Sequence, residues 1–151
     1  MLDEYKKIFI EGVRDFTSFG NPLILTIFAM FILGINLILV KIILGLIIIE
    51  FICSLIKVFY YKSRPIKKDY KNIIEKINAG SFPSIHTARS SFVFLSLFLI
   101  TPSYLAKSLF FMIILLVAGT RIILKKHYLI DVLFGLIIGI IFSIIWRIFI
   151  I

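Results

Sequence analysis

From Pro22 to Val40 the chain runs nineteen residues without a charged side chain, close to the ~20 needed to cross the hydrocarbon of a bilayer. Four further apolar stretches follow, about Ile42–Tyr60, Ser84–Pro102, Tyr104–Leu124 and Leu129 to the C-terminus. Apolar residues make up 61% of the 151 positions, more than the core of a soluble domain this size can hide. Part of the solvent must therefore be lipid. The fold class expected is an all-α integral membrane helical bundle of about five transmembrane helices. It forms a single membrane-embedded domain over 1–151, with an interfacial helix at 1–19 and the bundle at 22–151.

The N-terminal sequence MLDEYKKIFIEGVRDF lacks the apolar core of a cleavable signal peptide. Leu2, Tyr5, Phe9, Val13 and Phe16 recur at helical spacing, with Asp3, Lys6, Lys7 and Arg14 mostly off that stripe. Such a helix either lies in the membrane interface or packs on the rest of the protein. The single Cys53 excludes a disulfide framework. Gly135 and Gly139 form a G-x-x-x-G in the last span, read as tight helix packing within the monomer.

The net charge is +9, but the cations sit between apolar runs rather than along a solvated face. Anionic headgroups or a phosphate substrate fit that placement, and nucleic acid does not. With five spans, one membrane face carries fourteen of the seventeen Lys and Arg, leaving Lys41, Lys107 and Arg147 opposite. The positive-inside rule places the richer face in the cytoplasm.

Every chemically suggestive residue falls on that face, in three clusters. Lys57 and Arg64 are separated by six residues, and Pro65 disfavours helix at Arg64, so the chain turns there. Pro83-Ser84-Ile85-His86 opens the third span, and exposed amides at a helix N-terminus suit an anion. Arg121 is followed by His127 after five residues and by Asp131 after three more. On a helix, residues four apart share a face, so Asp131 is expected to hold one imidazole nitrogen of His127 and leave the other free to attack. His86 is the expected general acid, and Lys57, Arg64 and Arg121 the cations on the phosphoryl oxygens, with Ser84 and nearby amides adding hydrogen bonds. No carboxylate cluster suited to magnesium accompanies them, so no metal and no cofactor is expected. Glu50, two turns before Lys57, reads best as a buried partner for a basic residue; Arg89, a turn after His86, is either that partner or a further pocket cation.

These clusters resemble the signature of the type 2 phosphatidic acid phosphatase superfamily, which also includes vanadium haloperoxidases. The family pattern is K-x6-RP, PSGH and SR-x5-H-x3-D. The chain reads K-x6-RP at Lys57–Pro65, PSIH at Pro83–His86 and TR-x5-H-x3-D at Thr120–Asp131. The resemblance implies a phosphohistidine on His127, oriented by Asp131, with His86 as acid and Lys57, Arg64, Ser84, Ile85 and Arg121 around the phosphate. It implies a membrane lipid substrate: phosphatidate, phosphatidylglycerophosphate or a polyprenyl diphosphate. It also implies a site open to the outer or luminal side, against the charge count. Thr120 in place of Ser keeps the hydroxyl. Ile85 in place of Gly is the larger departure, since a β-branched residue resists positive φ and hinders close backbone approach. On that residue alone rests the alternative, an inactive family member serving as a lipid-binding or scaffold protein.

Overall fold

The computed structural model describes residues 2–67 and 69–150, without the side chains of 2–4, 6, 7 and 150. Leu2, Asp3, Lys6 and Lys7, invoked above, thus lie outside the described side chains. Among the described residues seven α-helices follow one another: α1 Leu2–Phe16, α2 Pro22–Leu33, α3 Leu37–Phe59, α4 Ile73–Ala79, α5 Ile85–Ile100, α6 Tyr104–Ile123 and α7 Leu129–Ile150. A 3-10 turn, Thr17–Gly20, joins α1 to α2, and there are no strands among the described residues.

Local chemistry explains the boundaries. Asn21 accepts a hydrogen bond from the Leu23 amide, and Pro22 at the first helical position needs no donor. α2 stops at Gly34, whose φ of 70° suits glycine, and Asn36 caps α3 through the Leu39 amide at 3.0 Å. The Asn36 side-chain amide also donates to the Leu33 carbonyl, closing the break. This corrects the first expected span: it ends at Leu33 rather than Val40, and the second begins at Leu37 rather than Ile42. A charge-free run alone does not register the turn chemistry of Gly-Ile-Asn. α5, α6 and α7 fall within two residues of the expected bounds, whereas the short α4 lies in a stretch where no helix was expected.

Among the described residues three helices, α3, α6 and α7, are long and apolar enough to cross a membrane. α2 and α5 are shorter, at ~18 and ~24 Å against a ~30 Å hydrocarbon core. The end of α1 and its turn meet α2 at 70°. α5 is tolerably short because protein surrounds it: eleven of its sixteen residues are buried, and it packs on α7, α6 and α3. Phe92, Val93, Phe94 and Leu97 form the centre of the core with Leu25, Ile42 and Ile49. Outward positions such as Phe51, Phe111 and Ile144 are exposed and apolar, as a lipid-facing surface requires.

The small residues of the G-x-x-x-G set the closest approach. A Cβ on Gly135 would stand 2.6 Å from the Ser84 carbonyl oxygen, and one on Gly139 2.5 Å from that of Ala88. Both glycines face α5, so the motif packs inside the monomer. α1 lies against α6 and the 3-10 turn; Val13 is buried there, while Tyr5, Ile8, Phe9 and Phe16 stay exposed.

Candidate active site

α3 and α6 end, and α5 and α7 begin, at one end of the bundle. That alternation gathers Lys57, His86, Arg121 and His127, with the connector residue Arg64, around one point near a membrane surface. The 3-10 turn after α1 covers the same end. Its Thr17 accepts a hydrogen bond from Nη1 of Arg121 at 2.6 Å, and its Gly20 carbonyl accepts one from Nη1 of Arg89 at 3.2 Å. Gly20 packs so tightly that a Cβ there would lie 2.6 Å from Cβ of His86.

His127 is not on a helix; it lies two residues before α7. Its Nδ1 donates to the carbonyl of Ser81 at 2.6 Å. A carbonyl only accepts, so Nδ1 carries the proton and Nε2 keeps its lone pair. Nε2 points at Nη2 of Arg121, 3.5 Å away. Burial, then the charges of Arg121, Lys57 and Arg64, push the imidazole down to about 2, against the opposing effect of the Ser81 hydrogen bond. The ring is thus a neutral, oriented base among cations.

Asp131 does not orient it. One carboxylate oxygen accepts from Nζ of Lys62 at 2.7 Å, and the other from the Tyr128 amide at 2.9 Å. The i, i+4 expectation fails because the helix begins only at Leu129, and the first-turn acid instead caps it. Lys62 also lies 4.6 Å from the Tyr128 ring centroid. Asp131 retains an indirect hold on the site, since its carbonyl accepts the Ser84 amide at 2.9 Å.

Ser81 ties three segments together. Its amide and hydroxyl donate to the Lys62 carbonyl, its hydroxyl also reaches the Ser63 carbonyl, and its own carbonyl holds His127. Ser81, Lys62, Thr17 and Gly20 were all missed in the sequence. The Gly20-Asn21-Pro22 turn was the one available signal, and nothing local marks a carbonyl as a histidine's partner.

The expected cations converge. Lys57 is buried, and its ammonium donates to the carbonyls of Gly80 at 2.7 Å and Ile77 at 3.3 Å, at the C-terminal end of α4. Arg64 sits half-buried in the connector. The Nε atoms of Arg64, Arg89 and Arg121 are buried without a hydrogen-bond partner. Arg89 pairs with Glu50, so the partner reading of Glu50 holds, while its Gly20 contact keeps it beside His86. Burial and the charges of Arg121, Arg64 and Arg14 also lower the Lys126 ammonium's pKa. Unpaired buried guanidinium donors are costly unless an anion completes them.

At the N-terminus of α5, Ser84 makes no side-chain cap; its hydroxyl pairs with that of Thr87 at 2.9 Å. The first helical amides are left for a ligand. Ile85 takes up regular helical geometry, and Lys125 is the positive-φ non-glycine among the described residues. The Ile85 side chain is buried with Cys53, Ala88 and Ile138. The positive-φ strain expected of a β-branched residue here is therefore absent. Among the described residues, no group of three or more His, Cys, Asp or Glu is arranged to hold a metal ion.

A helical membrane protein with a buried, anion-seeking cation cluster around an oriented histidine is the class that fold and site define. The chain belongs to the PAP2 superfamily, whose family model matches residues 38–150. Its fold is similar to that in the crystal structure of the first transmembrane PAP2 type phosphatidylglycerolphosphate phosphatase from Bacillus subtilis. The TM-score is 0.73 at 18% identity, over 93% of this chain and 76% of that one. No curated protein matches the sequence. Family and fold together support a lipid phosphatase in general.

Proposed function

We propose that the protein hydrolyses a phosphomonoester or diphosphate of a membrane lipid through a phosphohistidine on His127. The observation that carries this reading is the Ser81 carbonyl on Nδ1, which leaves the Nε2 lone pair facing Arg121. Attack by Nε2 on phosphorus forms the N–P bond as the P–O bond to the lipid breaks. The departing oxygen takes its proton from His86. Water then attacks phosphorus and gives a proton to His86, restoring the acid, as the N–P bond breaks and phosphate leaves. Arg121, Arg64 and Lys57, with the first amides of α5, neutralise the charge on the phosphoryl oxygens. In this reading no step calls for a metal.

The test is phosphate release by purified protein in detergent with EDTA, offering phosphatidate, phosphatidylglycerophosphate and a polyprenyl diphosphate in parallel. Turnover that persists in EDTA and disappears in His127→Ala is the expected result. Turnover abolished by EDTA, or surviving in His127→Ala, overturns the mechanism.

A further inference from the structure

Arg89 faces two ways. On one side its Nη1 bonds the Gly20 carbonyl at 3.2 Å, and Gly20 packs directly on His86. His86 and Arg89 are three residues apart on α5, so their Cβ atoms lie ~5–6 Å from each other. On the other side Arg89 pairs with Glu50, and the two line the end of a groove of about 690 Å³ between α2 and α3. Leu23, Ile43, Leu46, Ile47 and Phe51 wall that groove. The Arg89 side chain is 9% exposed, whereas that of Glu50 is 42% exposed. The Glu50 side chain is therefore partly open to the groove, although the Oε2 that meets Arg89 is buried, and Nε of Arg89 is buried without a partner. A charge pair left open at the head of an apolar groove is costly for a merely structural contact.

We infer that Arg89 binds the second phosphate of a lipid diphosphate whose hydrocarbon chain occupies the α2–α3 groove, and so selects such lipids over phosphomonoesters. The inference rests on the reading above, in which His127 attacks and His86 faces the leaving group. Attack on the terminal phosphorus of a diphosphate breaks the P–O–P bond, and the electron pair leaves on a lipid monophosphate. That leaving group is an anion and needs a cation. A monoester instead releases an alkoxide, which departs as a neutral alcohol once His86 gives its proton. A guanidinium one turn beyond the acid, on the groove side, serves the first case and not the second. Glu50 neutralises Arg89 while the groove is empty and competes with the incoming phosphate.

The experiment compares farnesyl diphosphate with farnesyl monophosphate, so that the chain is constant, using wild type, Arg89→Gln and Glu50→Gln in detergent. Arg89→Gln lowers the ratio of kcat/KM for diphosphate over monophosphate by about tenfold or more. Glu50→Gln lowers the KM for the diphosphate, because it frees the guanidinium; this arm decides alone if Arg89→Gln does not fold. Equal losses in both variants on both substrates overturn the inference, since a structural ion pair behaves that way. A second pair, phosphatidylglycerophosphate against phosphatidate, locates the anion. An Arg89 effect confined to that pair places the second phosphate beyond a glycerol and overturns an adjacent one. Binding of non-hydrolysable farnesyl methylenediphosphonate, compared with farnesyl phosphonate, reads the same selectivity without turnover. Selective binding lost in Arg89→Gln, with no phosphate release from wild type, removes the hydrolase reading alone. Release with an unchanged ratio in Arg89→Gln removes this inference alone.

Discussion

His127 and Ser81 are joined by a 2.6 Å hydrogen bond from the imidazole Nδ1 to the backbone carbonyl, while Asp131 turns both carboxylate oxygens to Lys62 and Tyr128. The acceptor that sets the tautomer is thus part of the main chain, 46 residues upstream of the histidine. A side-chain substitution at Asp131 leaves it in place.

Asp131→Asn is accordingly expected to lower kcat by about tenfold or less, through the loss of the Lys62 pair and a looser Tyr128–Asp131 turn. Loss of a tautomer-setting acceptor costs about 10⁴-fold in kcat. Initial rates of phosphate release separate the two, and a drop near the larger figure would show that Asp131 turns to His127 during catalysis.

Two glycines in close contacts separate rate from stability. A Cβ at Gly20 would press on His86, and a displacement near 1 Å at a reacting group costs about 10²-fold. Gly20→Ala should therefore reduce kcat by up to that factor with the protein still folded. A Cβ at Gly139 meets the Ala88 carbonyl oxygen and Cβ of Ser91, both at 2.5 Å, deep in the α5–α7 contact. Gly139→Ala should cost about 1–3 kcal/mol of stability by overpacking, read as a lower Tm in detergent. The reverse pattern would contradict the placement of the 3-10 turn over the site.

Ile85→Gly restores the residue usual in the family pattern, yet no gain in turnover is expected. Ile85 is helical and packed with Cys53 and Ala88. Removing its side chain should destabilise the protein by about 2–4 kcal/mol. A clear rise in phosphate release from this variant would mean that the side chain obstructs the phosphate.

The pH dependence of stability has a definite sign. The folded-state pKa of His127 lies far below the ~6.5 of an unfolded chain. As pH falls below about 6.5 the unfolded state takes up a proton that the folded state refuses, so stability present above that pH is lost toward the folded value. The Tm in detergent should fall between about pH 7.5 and pH 5, less steeply in His127→Gln. Equal slopes in the two proteins would show that the imidazole is not held neutral.

The order and spacing of Lys57, Arg64, His86, Arg121 and His127 made the candidate site legible in the sequence, because each motif sits beside the end of a long apolar run. Helix alternation then brings those ends together whatever the packing details. Helix bounds were readable where a polar or proline residue interrupts the run, as at Pro102, and misread at Gly34–Asn36, where the break is conformational rather than a change of charge. Lys57 was recognised as a cation of the site, but its hold on the Ile77 and Gly80 carbonyls depends on where α4 ends in space.

The sequence by itself determined that the chain is a membrane helical protein, which side chains are the candidates for its chemistry, and at which end of the bundle they meet. Period, charge and spacing are local properties, and lipid leaves helices as the available structure. Only the tertiary structure decided which group orients His127, that Lys62 takes Asp131, that the Thr17–Gly20 turn covers the site, and that Arg89 joins it to the α2–α3 groove. Those contacts link residues 20 to 104 positions apart through backbone carbonyls and buried pairs. A carbonyl is the same group at every residue, so only folding selects which one a histidine or a lysine meets.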